Sequence, residues 1–339
     1  MKILIVKFGA LGDVVRTSYF LPGLIKKYSD PEIYWYTSSS SIPLLSSNKY
    51  IKKLITNKDA NYVFATNNFD YVISLDDEKA ILEKLLRFNI FVDVGAYIDS
   101  ENGNITYTSN SSAWFDMGLL SKFGKKTADI LKKNNQMEHN QIFESILGIR
   151  IDRPYFFTDR NIKVEDFKLS TSNFNIGLNC GAGGRWQNKR LPIKEAVSLI
   201  NRLNSATINK KEIKIFLLGG EAEIELNRSI KGMCKSDVID TGSKHSLKQF
   251  AKIISMLDLI VTSDSLALHL SIAQGIPSVS FFAPTSAAEI GLFGNGAKVM
   301  SLSKDYCSYT SDADNLSITS DRIIDSIANL KNISLREHV

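Results

Sequence analysis

Residues 1–15 read MKILIVKFGALGDVV, and this stretch decides the fold class. Ile3 to Val6 is a short unbroken apolar run, a turn containing Gly9 and Gly12 follows it, and an apolar periodicity then runs from Val14 to about Tyr28. That order reads as strand, loop, helix. The rhythm returns along the chain: strands are expected at Ile33 to Tyr36, Tyr71 to Leu75 and Ile90 to Val94, with a helix over Ala80 to Leu86. A polar, strand-poor stretch from Thr158 to Asn173 reads as a linker. Beyond it, strands at Ile176 to Asn179, Ile213 to Leu218, Val238 to Asp240, Leu259 to Thr262 and Ser278 to Phe282 alternate with helices beginning near Pro192, Glu223, Ser246 and Asp264. The pattern predicts an α/β protein of two Rossmann-like, doubly wound parallel-sheet domains, residues 1–165 and 174–318. A last segment, 319–339, carries Ile323, Ile324, Ile327 and Leu330 at helical spacing and is free to pack on either domain, including back on the first.

Composition narrows the function. With 339 residues, 44% hydrophobic and 23% charged, the chain resembles an ordinary globular protein rather than a disordered one. The net charge of +5 is too dilute for a nucleic-acid binder. Cys180, Cys234 and Cys307 lie far apart, so they spell neither a zinc site nor a disulfide framework, and a reducing cytoplasm is expected. The apolar run after Met1-Lys2 is too short for a signal-peptide core, and nothing approaches the roughly 18 apolar residues of a membrane span. Any membrane contact is therefore expected to be peripheral.

Three segments at strand ends carry chemistry. Asp13, after Gly9-Ala10-Leu11-Gly12, reads either as an ordinary helix cap or as a general base on a short mount. The loop Asn179-Cys180-Gly181-Ala182-Gly183-Gly184-Arg185 through Lys189, Arg190 and Pro192 frees backbone N–H groups and adds cations, which suits a phosphate. Ser263-Asp264-Ser265-Leu266 opens a helix where the same groups can cap or hold a diphosphate. His269 lies inside that apolar helix, where packing is its more ordinary role. Between the last two segments, Gly219-Gly220-Glu221-Ala222-Glu223 offers an acid either to a ribose or to the helix dipole.

Taken in order, Leu11-Gly12-Asp13, the Gly181 to Pro192 loop, the Gly219 to Glu223 turn, Asp264-Ser265 through His269-Leu270, and Phe282-Ala283-Pro284-Thr285 resemble glycosyltransferase family 9, the lipopolysaccharide heptosyltransferase family. The resemblance implies a GT-B architecture of two facing domains, acceptor in the first and donor in the second. It implies inverting, metal-independent transfer of a sugar, heptose by family default, from a nucleotide diphosphate to a lipopolysaccharide-core or other surface-glycan hydroxyl. The nucleotide sugar, ADP-heptose or a relative, would be a substrate, with no cofactor. Asp13 matches the base, Lys189 the lysine on the donor phosphates, Glu223 the acid on the nucleoside with Glu221 as fallback, Asp264 the residue on the donor sugar, and Ser265 the hydroxyl at the diphosphate. Gly183, Gly184, Arg185, Leu266 and His269 complete the donor set, while Gly12, Lys7 and Arg16 are assigned to the acceptor. The chain departs from the common pattern at Leu266, usually Gly, at Leu191, usually Trp, and at Ser286-Ala287 in place of Asp-Pro.

The resemblance implies a cytoplasmic enzyme, peripheral at most on the inner membrane, acting on a nucleotide sugar and a glycan or glycolipid. Trp114, Phe115, Leu119, Leu120 and Phe123, interleaved with Lys122, Lys125 and Lys126, would then face an anionic glycolipid; a helix with one packed and one solvated face is the plainer reading. A nucleotide-sugar epimerase on the same architecture, or a non-catalytic nucleotide-sugar binding subunit, would use the same segments.

Overall fold

The computed structural model describes all residues except Thr158, Arg160, Asp166, Lys168, Gly184, Arg185, Ser311, Asp312, His338, Val339 and the side chain of Glu337. The chain divides into two units, Met1–Phe157 and Thr158–Val339.

The first unit is built on β1 (Lys2–Val6), β2 (Glu32–Tyr36), β3 (Ile51–Ile55), β4 (Tyr71–Ser74), β5 (Val94–Ile98) and β6 (Ile105–Tyr107). They lie in the order β3-β2-β1-β4-β5-β6, parallel except for β6 against β5. Leu4 and Val6 of β1 pack with Tyr34, Tyr36 and Phe64 on one face, and Ile3 and Ile5 are equally buried. Burial on both faces explains why β1 has no polar alternation. Strand order turns back beside β1: β2 lies on one side and β4 on the other, so the loops after β1 and β4 open a crevice at the strands' carboxyl ends.

The second unit repeats the device with β7 (Phe174–Asn179), β8 (Ala206–Ile208), β9 (Lys211–Leu217), β10 (Ile239–Asp240), β11 (Leu259–Ser263), β12 (Ser278–Phe282), β13 (Gly296–Met300) and β14 (Leu335–Glu337). The order is β13-β12-β11-β7-β9-β8-β14, with β10 also paired to β9. Here the reversal falls beside β7, between β9 and β11, and it brings together the loops that follow β7 and β11.

Several expectations change. The strand foreseen over Ile90 to Val94 starts only at Val94, because Asp93 both donates its N–H to Val72 O and accepts the Val72 N–H, at 3.1 and 2.8 Å, which fixes the chain just before the ladder. The segment 319–339 is no separate appendage. Its helix Ser320–Ala328 places Ile323, Ile324 and Ile327 in the second unit's core beside Leu199, Ile200 and Leu203, and Ser320 N–H donates to Glu195 at 2.7 Å. The stretch 112–134 is made of loops and helices, a single turn, Ser112–Phe115, preceding the helix Lys125–Asn134.

Gly95 has φ +115°, and a Cβ there would stand 1.7 Å from Ser74 O on the neighbouring strand. Both the backbone conformation and the space exclude a side chain. Gly95→Ala should therefore destabilise the first unit by about 3 kcal/mol, combining backbone strain and overpacking. Scanning calorimetry checks this; an unshifted first-unit transition would contradict the close approach.

Candidate active site

In the first unit the loop Lys7 to Ala10 is held from both sides. Lys7 O accepts from Thr37 Oγ1 at 2.7 Å and Trp35 Nε1 at 3.3 Å. Across the crevice, the buried Asp76 carboxylate, just beyond β4, accepts the Phe8 N–H, the Gly9 N–H at 3.3 Å and the Lys7 ammonium at 3.2 Å. This loop launches the helix Leu11–Thr17, whose N-cap is Ala10 with no side-chain cap bond. Asp13 is the third helical residue, in the first turn and near the N-cap without being it. Its carboxylate, 35% exposed, meets Arg16 Nη2 at 2.9 Å. The Arg16 guanidinium lies 5.4 Å from the Trp114 ring, and Trp114 in turn packs on His139 and Phe143. Arg16 thus fixes Asp13 rather than pointing away from it. Lys7 is committed to Asp76, and Gly12 is buried in the helix.

In the second unit the loop after β7 returns on itself, Leu191 N–H donating to Cys180 O at 2.9 Å. Lys189, in the turn Gln187–Lys189, extends its ammonium to Asp264 O and Oδ2, both at 3.0 Å. On the other side of Asp264, His269 Nε2 stands 3.4 Å from Oδ1. Burial alone would raise the Asp264 carboxyl, but the Lys189 ammonium and then His269 outweigh it and hold the group well below the usual carboxylate range. Asp264 is therefore an anion at any physiological pH. His269 is both buried, as its apolar helix suggested, and in contact with the site.

Ser265 occupies the N-cap position of the helix Leu266–Gln274 yet makes no cap bond. Its hydroxyl instead joins Thr262 Oγ1 at 3.0 Å and Asn179 Nδ2 at 3.1 Å. The first N–H groups of this helix are thus left without a side-chain cap, the arrangement that suits an anion. Leu266 is the first helical residue and half-buried. Glu223 is buried and clamps two loops, Oε1 accepting the Gly183 N–H and Oε2 the Gly220 N–H, each at 2.9 Å. Glu221 is exposed, so Glu223 is the acid built into the site. Gly184 and Arg185 lie outside the described residues. Leu191 is buried in the core cluster with Ile176 and Leu199, so the departure at that position changes packing.

Sequence reasoning missed Asp76 and gave Asn179, the first residue of its loop, no role of its own. Asp76 follows a strand like Asp13 does, and its place in the crevice depends on strand order. Asn179 ends an apolar strand, a polar residue buried at a sheet's carboxyl end, and its amide ties Gly181 O, Thr262 and Ser265 together at 3.1 Å. Among the described residues no three His, Cys, Asp or Glu side chains gather so as to hold a metal ion, and no helix is long and apolar enough to cross a membrane.

The architecture is that of glycosyltransferases. A family 9 glycosyltransferase from Veillonella parvula superposes with a TM-score of 0.66 over 97% of this chain and 96% of its own, at 17% identity. The E. coli ADP-heptose lipopolysaccharide heptosyltransferase II gives 0.66 over 97% and 98%, at 16% identity. In sequence, lipopolysaccharide heptosyltransferase 1 of Campylobacter coli is 25% identical over 325 residues, 90% of each chain. The model of glycosyltransferase family 9 (heptosyltransferase) matches residues 143–317. The chain belongs to glycosyltransferase family 9, with the GT-B fold of its heptosyltransferases.

Replacing Lys189 with Met removes the main counter-charge of Asp264 while keeping the stem's bulk. The carboxyl should then titrate roughly one to three units higher, measurable by carboxyl-carbon NMR. In the native chain the depressed carboxyl contributes stability above the ordinary carboxylate pKa of about 3.9 and loses it only as pH falls below that. In Lys189→Met that contribution shrinks, and an unmoved titration would detach Lys189 from Asp264.

Proposed function

We propose that this glycosyltransferase moves a sugar, heptose by family default, from an ADP-linked donor to a hydroxyl of a lipopolysaccharide-core or related surface-glycan acceptor, with inversion and without a metal ion. The observation that carries the reading is the Asp13 carboxylate, which is 35% exposed and is met by Arg16, in the first turn of a helix launched by a loop that Asp76 holds in place. Asp13 takes the proton of the acceptor hydroxyl as its oxygen attacks the anomeric carbon. The bond from that carbon to the diphosphate breaks on the opposite face, the leaving group keeps the electron pair, and the configuration inverts.

Charge then gathers on the departing nucleoside diphosphate. Lys189 and the uncapped start of the helix Leu266–Gln274 are the groups that meet it. Arg185 and Gly184 are assigned to the same anion from the sequence, and Glu223 to the nucleoside through its hold on the Gly183 and Gly220 backbone. Asp264, kept ionised by Lys189, accepts hydroxyls of the donor sugar. Lys7, Gly12 and Arg16 shape the acceptor side through the loop and helix they belong to. The donor is a substrate, and the reaction needs no cofactor. An enzyme that meets its nucleotide sugar and a nascent glycolipid together works in the cytoplasm at a membrane surface.

Asp13→Asn should lower kcat by a factor on the order of 10² to 10⁴, the scale of general-base catalysis, while the ADP-sugar binds as before. Turnover in chelator-treated buffer and NMR of the product's anomeric configuration test the remaining parts of the proposal. Undiminished turnover in the variant removes Asp13 from the mechanism. Lys189→Ala should weaken both donor affinity and the chemical step, and a donor titration identical to the parent's would contradict the phosphate assignment.

A further inference from the structure

The stretch between residues 117 and 137 has a surface that the proposed chemistry does not use. The helix Lys125–Asn134 buries only Ala128 among its ten residues. Around it, Leu119 is 85% exposed, Phe123 60% and Ile130 59%, with Leu131 and Met137 also in solvent. The neighbouring aromatics behave otherwise: Phe115 is buried against Tyr107, and Trp114 packs on His139 and Phe143. The segment is therefore anchored at its start by packed rings and leaves its later apolar side chains outside. Five lysines, Lys122, Lys125, Lys126, Lys132 and Lys133, accompany a single aspartate, Asp129, which pairs with Lys125 at 2.6 Å and leaves the stretch with an excess of positive charge. Apolar side chains exposed on and beside a basic helix, as Ile130 and Leu131 are on this one and Leu119, Phe123 and Met137 beside it, suit a surface that inserts shallowly between charged headgroups.

We propose that residues 119–137 dock the first unit onto a bilayer bearing anionic headgroups, with Leu119, Phe123 and Ile130 entering the acyl boundary and the lysines pairing with the headgroups. The charge selects this occupant: a second copy of the same face would set like charges against each other, whereas an anionic bilayer meets both the lysines and the apolar residues. The inference is independent of the transfer reaction, because the binding it describes needs neither donor nor acceptor.

Cosedimentation of the full chain with phosphatidylcholine vesicles, with and without phosphatidylglycerol, tests it. Binding is expected to the anionic vesicles alone and to weaken with salt. Two variants separate the two contributions, Leu119→Ser/Phe123→Ser/Ile130→Ser and Lys125→Glu/Lys126→Glu, all at exposed positions. Each should lose on the order of tenfold or more in vesicle affinity, with an unchanged circular dichroism spectrum and unchanged turnover of a water-soluble acceptor. Absence of binding to the anionic vesicles, or variants that bind like the parent, overturns the proposal. So does concentration-dependent self-association of the parent, lost in the variants, without vesicle binding. None of these outcomes bears on Asp13, so the surface and the proposed reaction stand or fall separately.

Discussion

The structure depends on one topological constraint applied twice: in each unit the strand order reverses beside the first strand. One crossover carries the chain to one side of β1 or β7, and a later one carries it to the other. The two loops flanking that point have no helix packed between them, so residues distant in sequence meet there. Asp76 reaches the Phe8 and Gly9 amides across 67 or 68 positions, and Lys189 reaches Asp264 across 75. Local sequence alone would bring together neither pair.

Placing charge at such a point has an energetic consequence. Lys189 and Asp264 are largely removed from water, and desolvation of a lone partner would disfavour its ionised form. Their mutual contact, supplemented by His269, offsets that penalty for the carboxylate and keeps Asp264 ionised. Such a pair contributes little net stability compared with apolar packing of the same volume. What it supplies is a fixed anion beside a fixed cation, which the proposed function assigns to the hydroxyls and the phosphates of the donor. The first unit follows the same logic more openly, with Arg16 held by its stacking on Trp114 while Asp13 stays accessible.

Much of this was legible in the sequence, for physical reasons that differ by element. Strands buried on both faces, such as β1, β7, β11 and β12, announce themselves as apolar runs. The strand β3 does not, because it lies at a sheet edge and exposes Lys52 and Lys53. The short β8 was equally hidden, since its turn into β9 uses Asn209 and Lys210 with positive φ instead of a glycine. Among site residues, those in glycine-rich turns or at the start of a helix after an apolar strand were found, whereas the roles of Asp76 and Asn179 follow only from long-range geometry. Leu119 and Phe123 show the converse limit. Apolar letters beside lysines suggested a packed face, and only coordinates reveal that these two side chains lack one.

The Glu223 clamp has a consequence for recognition. Two amides from separate glycine-bearing turns are already bound to one carboxylate before any nucleotide arrives. Glycine backbone is the most flexible the chain can offer, and a loose loop would have to surrender that freedom at the moment of capture. Here the entropy is lost when the polypeptide folds, so if the proposed function holds, a nucleoside would meet a pre-ordered rim at Gly183 and Gly220 and keep more of its interaction energy as affinity.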